Sequence, residues 1–288
     1  MASGEGELAF GSVGVWLQRY MDYDVLRAVS REAEELGYGT VWVSGGVDAG
    51  VFDAIDAVLE ATENITIATG VVNLWAETPE SVTRAWHRYE EVYPGRVYMG
   101  LGISHAPLVE GSLTAEYARP LTKTAAFLDA LDAQPNPLPP GRRLLGALGP
   151  KMLKLAADRT LGTHPYLASP DNIAQAREAV GGAFVAPELG VILDPDLESA
   201  RAVARASLEL YLGLPNYTRN WFRSGFTEKD LANGGSDQLL DSVFAIGDAS
   251  AVAKRVAEYR AAGADHIAFQ ILGEHPDYSH VLRTLASM

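Results

Sequence analysis

Short, almost wholly apolar segments recur along this chain, each followed by a segment whose apolar residues fall at helical spacing. Val13–Leu17 precedes residues 24–36, where apolar side chains stand at 25, 26, 29, 33 and 36, one face of a helix. Gly37 closes that helix. The pattern then repeats: strand 40–43 and helix 52–61, strand 65–72 and helix 79–92, strand 96–101 and a helix near 119–132. Strand 143–148 leads into a helix from Pro150, strand 163–167 into helix 170–180, and strand 184–193 into helix 196–212. The last unit is delayed, with helix 249–262, strand 265–271 and a helical tail.

Strands that are apolar throughout, joined by helices, predict a parallel sheet covered on both faces. Eight such units closing on themselves make a (β/α)₈ barrel. An open doubly wound sheet would carry a glycine-rich first turn, whereas Gln18-Arg-Tyr-Met-Asp22 has no glycine. The barrel is therefore expected, as a single domain over 1–288 with residues 1–10 as a frayed tail. Residues 133–142 form a proline-rich connector. Residues 213–247, which contain Trp221, Phe222 and Phe226, form an excursion expected to cap the barrel or pack on a second subunit.

Charge narrows the partners. The formal net charge is −14, which argues against nucleic acid and anionic membranes. No apolar run is long enough to span a bilayer, and the first residues lack the features of a signal peptide. There is no cysteine, which excludes disulfides, thiolate metal sites and a cysteine nucleophile. A cytoplasmic location follows as the expectation.

Any anionic ligand then needs a local site, and Leu144 to Asp158 offers one. An apolar strand enters Gly149-Pro150-Lys151 and a helix begins at once. Pro150 suits the first helical position, and Gly149 bares backbone N–H groups at the positive helix end. Residues 142–159 hold Arg142, Arg143, Lys151, Lys154 and Arg159 against Asp158. The alternative is a strand-to-helix turn that needs glycine only for tightness.

Barrel chemistry sits at the carboxyl ends of the strands. There the sequence places Ser44-Gly45-Gly46, Gly70 to Trp75, Gly102 to His105, Gly149 to Lys151, and His164 to Tyr166. His105 and His164 are the rim histidines, while His266 starts its strand at the opposite face. Either rim histidine could instead be a hydrogen-bonded loop anchor. No metal-ligand spacing, Gly-x-Ser-x-Gly elbow or Walker A sequence is present. Two histidines and few carboxylates point to proton or hydride transfer with a cofactor rather than to hydrolysis.

Several motifs together resemble the luciferase-like monooxygenase family. They are Ile67-Ala-Thr-Gly-Val-Val72, Arg96-Val-Tyr-Met-Gly-Leu-Gly102 and Gly149-Pro-Lys-Met-Leu-Lys-Leu-Ala-Ala157. Ser104-His-Ala-Pro-Leu-Val-Glu110, Ala147 to Met152, Thr163-His-Pro-Tyr-Leu167 and Leu214-Pro-Asn-Tyr217 are similar to its coenzyme F420-dependent oxidoreductase branch. The resemblance implies a dimeric (β/α)₈ barrel that binds a deazaflavin, or alternatively flavin mononucleotide (FMN), at the mouth. It implies a non-prolyl cis peptide in a bulge at Gly70-Val71, with Val71 backing the ring. Asn73, Gly102, Ile103 and Ser104 would border the cofactor. Ala147, Leu148, Gly149, Pro150, Lys151 and Met152 would hold its phosphate tail.

One departure stands out. Many deazaflavin-dependent relatives carry an acidic residue and a histidine after the second strand, where this chain has Gly45-Gly46. His105 becomes the candidate general acid, a role suited to a histidine near its ordinary pKa. His164 and Tyr166 are candidates for orienting substrate, with Trp75 as a further substrate contact. Trp221 and Phe222 hint at a flat or apolar substrate, or at packing. Three functions follow: an F420-dependent oxidoreductase of a small organic substrate, an FMN-dependent monooxygenase, or a non-catalytic cofactor-binding barrel.

Overall fold

The computed structural model describes residues 10–113, 115–286 and 288. Eleven strand segments form one all-parallel sheet. They are β1 (Val13–Leu17), β2 (Thr40–Val43), β3 (Thr66–Thr69), β4 (Val72–Asn73), β5 (Val97–Gly102) and β6 (Arg143–Leu145). The others are β7 (Gly162–Thr163), β8 (Phe184–Val185), β9 (Glu188–Leu193), β10 (Phe244–Gly247) and β11 (Ile267–Ile271). The pairing runs β9-β11-β1-β2-β3-β5-β6-β7-β8, and β4 continues the line of β3 against β5.

The ring closes through one stretch of chain. β8 pairs with β7, β9 pairs with β11, and only Ala186-Pro187 lies between β8 and β9. Ala186 N–H donates to Thr163 O at 2.9 Å on one side, and Ala268 N–H donates to Pro187 O at 2.9 Å on the other. Residues 184–193 thus act as a single barrel strand. Pro187, lacking an N–H, interrupts its ladder. The chain is a (β/α)₈ barrel.

Helices start where the sequence supplies stops and caps. Pro79–Val92 and Pro170–Val180 open on proline behind reciprocal caps, Thr78 with Ser81 and Ser169 with Asn172. The outward faces of the strands pack on these helices in one large core that includes Val41, Ile67, Leu101, Leu145, Val185 and Phe269. Trp16, Trp42, Ala68, Tyr98, Leu144 and Phe184 fill the barrel interior.

Phe10 plugs the floor of that interior. It is fully buried, with its ring centroid 4.5 Å from Tyr98 and 5.0 Å from Phe184. The tail expected over 1–10 therefore excludes Phe10, and residues 1–9 lie outside the described residues.

Three expected strands end early. The segment expected as one strand over 65–72 is broken at Gly70-Val71. The segment 143–148 is extended only to Leu145. Of 163–167 only the start is strand, because Pro165 has no N–H to give and Leu167 adopts φ +50°. The excursion at 213–247 is structured. It contains helices Pro215–Arg223, Glu228–Leu231 and Asp237–Val243, and ends in β10, which pairs with β9. Among the described residues no helix is long and apolar enough to cross a membrane.

Candidate active site

The carboxyl ends of the strands converge on a bulge. Gly70 and Val71 are joined by a non-prolyl cis peptide, as the family resemblance implied. The Val71 side chain sits where neighbouring strands carry no side chains. A Cβ on Gly102 would lie 2.2 Å from Val71 Cγ2, one on Gly100 3.3 Å from Val71 Cγ1, and one on Gly146 3.5 Å from Val71 Cγ1. Two glycines of β5 and one just past the end of β6 therefore make room for one valine.

Gly45 belongs to the same arrangement. A Cβ there would lie 1.6 Å from the Val71 carbonyl oxygen, so no side chain fits. The departure of Gly45-Gly46 from the family's acidic residue and histidine meets, at position 45, a steric requirement of the bulge. Near Gly46 the space is taken from the first strand's turn, because a Cβ on Gly46 would lie 2.3 Å from Tyr20 Oη. There Arg19 is buried, pairs with Asp48 and donates to Tyr20 Oη at 2.8 Å. Sequence reading missed this cluster, which residues from two separate loops assemble.

Two of the expected border residues are held by their own bonds. Asn73 is buried, donates to Val47 O at 3.1 Å and accepts from Trp75 N–H at 3.0 Å. Trp75 Nε1 donates to Ile103 O at 2.9 Å, and Lys123 Nζ stands 4.2 Å from the centre of its ring. Trp75 is thus a bracing residue of the rim, whether or not it also meets substrate. Ser104, at φ +57°, gives its carbonyl to Tyr117 Oη at 3.2 Å.

His105 follows at the N-cap of helix Ala106–Ser112 and makes no side-chain cap bond. An amide nitrogen can only donate, so Asn216 Nδ2, 3.1 Å from His105 Nδ1, fixes Nδ1 as acceptor and leaves the proton on Nε2. Burial pushes the His105 pKa down to about 4. The expectation of a histidine near its ordinary pKa is therefore corrected: at neutral pH His105 is uncharged and donates through Nε2–H.

His164 lies deeper. It stacks on Trp42 with ring centroids 4.0 Å apart, and its Nδ1 is 2.6 Å from the Ala186 carbonyl, which fixes Nδ1 as donor. Nε2 is then a bare acceptor, and it is buried with no partner. Burial lowers this pKa to about 4, against the opposing bond to Ala186. Tyr166 donates to Gln270 Oε1 at 2.8 Å, packs 5.5 Å from Trp16 and accepts from Tyr211 Oη at 3.4 Å. Glu188, also buried, accepts from Leu167 N–H at 3.1 Å and leaves Oε1 unpartnered. Burial raises its pKa to about 8.

The Ala147–Met152 turn carries Gly149 as N-cap of helix Pro150–Arg159 with no capping side chain. Pro150 has no N–H and Met152 N–H donates to Gly149 O at 3.0 Å, so Lys151 N–H is the donor of the first turn that can meet an anion. Lys151 is exposed beside it. The local positive charge counted over 142–159 does not gather here. Arg143 is buried and paired with Asp132, Arg142 donates to Gly95 O, and Arg159 pairs with Asp129 and Asp132. These groups start the strand or end the helix, at the opposite face of the barrel. One arginine that sequence distance hid does reach the turn: Arg223 Nη2 donates to Leu148 O at 2.9 Å.

Arg223 ends the insertion helix Pro215–Arg223, which touches three strand ends at once. Asn216 meets His105, Trp221 Nε1 donates to Leu167 O at 2.9 Å, and Arg223 meets Leu148. Trp221 is fully buried, so its part is packing, whereas Phe222 is partly exposed. No cluster of three or more metal-ligating side chains occurs among the described residues.

The model of the luciferase-like monooxygenase family matches residues 6–135 and 126–266. The chain belongs to that family. A relative from Mycobacterium tuberculosis, provisionally named a coenzyme F420-dependent oxidoreductase, is 24% identical over 80% of this chain and 86% of its own. The fold matches an F420-dependent secondary alcohol dehydrogenase bound to an F420-acetone adduct, with TM-score 0.75 and 16% identity over 96% of this chain and 97% of that one. It also matches the oxygenating constituent of 3,6-diketocamphane monooxygenase from Pseudomonas putida in complex with FMN, with TM-score 0.68 and 15% identity over 96% of this chain and 94% of that one.

Proposed function

We propose that this family member is an oxidoreductase that moves a hydride between coenzyme F420 and a small organic substrate at the carboxyl-end mouth. The observation that carries the reading is the Gly70-Val71 bulge. Val71 is seated among Gly100, Gly102 and Gly146 beside a helix terminus with no capping side chain. A flat ring needs such a side-chain-poor surface, and an anionic tail needs such a helix end, so the residues fit the group. The Mycobacterium tuberculosis relative named for coenzyme F420 points the same way.

The bound deazaflavin would supply a two-electron carbon centre for hydride exchange. The chain's own residues would do the rest. The turn from Ala147 to Met152 holds the phosphate end, with the Lys151 backbone N–H and side chain as donors. Asn73, Gly102, Ile103 and Ser104 border the ring. His105 offers Nε2–H as a donor, and His164 offers Nε2 as an acceptor. Tyr166 is oriented through Gln270, and Trp75 braces the rim. Helix Pro215–Arg223 caps the mouth and excludes water. We further propose one barrel domain, a homodimer and a cytoplasmic setting, as the resemblance and the charge suggest.

FMN-dependent monooxygenation remains a second reading, supported by the FMN-bound structure of the same fold. It gains from the corrected charge, because Lys151 and Arg223 are fewer cations than the sequence count had placed at the turn. Titration of the protein with coenzyme F420 and with FMN, followed by tryptophan quenching, separates the two. Tighter binding of F420, weakened several-fold in Lys151→Ala, is expected. Preference for FMN would move the protein to the monooxygenase reading. Occupancy by F420 with no turnover of any acceptor would leave a binding protein.

A further inference from the structure

Two unbonded ring nitrogens near the mouth are out of reach. Trp16 Nε1 and His164 Nε2 are buried, have no partner and are sealed within the protein. His105 differs. The residue is only partly buried, its Nδ1 is taken by Asn216, and its Nε2 bonds to none of the described residues and is not sealed in. It is the rim histidine that a bound molecule can meet. Which nitrogen carries the proton decides what it offers, because Nε2 donates in one neutral tautomer and accepts in the other.

The groups around His105 fix that choice. Tyr117 Oη gives its proton to Ser104 O at 3.2 Å, so its oxygen can only accept. The Asn216 amide acts on that oxygen as a donor, favouring the ionised phenol against its burial. The N–H side of the amide therefore serves Tyr117 and His105 together, with Nδ2 3.1 Å from His105 Nδ1. Turning the amide over would set its carbonyl against the Tyr117 oxygen and cost Tyr117 its bond to Ser104. Nothing charged competes at the ring. Tyr217, with its ring centroid 5.1 Å away, and Tyr117 both have their pKa raised by burial. Glu110, the one carboxylate on helix Ala106–Ser112, accepts from Tyr117 N–H at 3.3 Å. Burial is what lowers the His105 pKa, with no charged neighbour contributing.

We propose that Asn216 is a positioning residue: from the insertion helix it holds His105 in the Nε2–H tautomer, so that the mouth presents a fixed, uncharged hydrogen-bond donor. Such a donor polarises an acceptor atom on a bound molecule without bringing charge into the site. It does not work as an acid. The Asn216 amide has no proton to release to Nδ1, so loss of the Nε2 proton would leave an imidazolate. His105 therefore orients and polarises rather than surrendering its proton. The amide is held in place because the same helix is anchored at two other strand ends, through Trp221 to Leu167 O and Arg223 to Leu148 O. This role deepens the proposed function and rests on it for what is bound.

Proton–nitrogen NMR of the protein with isotope-labelled histidine reads the tautomer, at about pH 8, where histidine is neutral. The His105 signal is identified by its loss in His105→Asn. The wild-type protein, without cofactor, should show a protonated Nε2 and an unprotonated Nδ1 at His105. Asn216→Asp replaces the donor with a carboxylate and should reverse the two nitrogens. Asn216→Ala should let the Nδ1–H form appear beside the Nε2–H form. Asn216 is exposed, so both variants should keep the wild-type melting temperature. A protonated Nδ1 in the wild type overturns the tautomer, and an Nε2–H signal that neither variant alters overturns the role of Asn216. Titration with coenzyme F420 separates this role from the proposed function. F420 binding with a protonated Nδ1 defeats this inference alone. An Nε2–H form that depends on Asn216, without F420 binding, defeats the proposed cofactor and leaves Asn216 its role.

Discussion

Two histidines sit against opposite parts of one indole, Trp42, and differ in a single respect. His266, at the floor, has both ring nitrogens engaged: Nε2 accepts from Trp42 Nε1 at 3.0 Å, and Nδ1 meets Gly11 O at 2.9 Å. His164, toward the mouth, has Nδ1 bonded and Nε2 bare. Burial holds both near a pKa of about 4, so both are neutral at pH 7. The floor histidine is a completed structural joint. The mouth histidine is a joint with one bond left for something that is not protein, and this contrast separates scaffold from site.

The largest test of that comparison is pH. Between 6.5 and about 4 the unfolded chain protonates His105, His164 and His266 while the folded one does not. Stability should therefore fall as pH drops through this window, by about 1.4 kcal/mol per pH unit for each group at full effect. Glu188 acts with the opposite sign. Its folded pKa is raised to about 8, so from about 4.5 to 8 the unfolded chain ionises while the folded one resists, and stability falls as pH rises. Urea unfolding across pH should show a maximum near 6.5. Glu188→Gln should flatten the alkaline limb, and an unchanged limb would remove Glu188 from the account.

Next in size is the bulge. Gly45→Ala places a methyl group against the Val71 carbonyl and should cost about 3 kcal/mol through backbone displacement. Gly102→Ala meets the Val71 side chain rather than backbone, chiefly its Cγ2, so Val71→Ala should rescue it in a double-mutant cycle. Absence of rescue would mean that Val71 does not set the need for glycine at 102.

Smaller, and sharper, is the pair of indoles. Trp42→Phe strips His266 Nε2 of its donor and should cost about 1–2 kcal/mol, whereas Trp16→Phe removes an N–H without a partner and should leave stability within about 0.5 kcal/mol. Equal costs in urea unfolding would erase the distinction between a finished floor and an unfinished mouth.

Much of this scaffold was legible because it follows from period and punctuation. Helices Pro79–Val92 and Pro170–Val180 and strand Thr40–Val43 have the bounds read from the sequence, where proline, capping residues and β-branched runs leave little choice. The bulge was legible only through family likeness, since nothing local in Thr69-Gly70-Val71 announces it. Arg143 and Arg159 misled because sequence proximity to the Gly149 turn does not imply the same barrel face: strand and helix carry them to the far end. Arg223, Asn216 and Trp16 went unassigned for the converse reason, that residues distant in sequence are brought together by barrel closure and by the insertion helix. The pKa of His105 was misjudged because desolvation depends on Tyr217, 5.1 Å away between ring centroids, and on the rest of that helix.

The central claim is that the mouth is left incomplete for a ligand while the floor is not. Indole N–H resonances in a proton–nitrogen NMR spectrum, assigned by Trp→Phe variants, report on it atom by atom. On addition of coenzyme F420, the Trp16 resonance should shift while that of Trp42 stays in place. A Trp16 signal that the cofactor leaves unmoved would contradict the account.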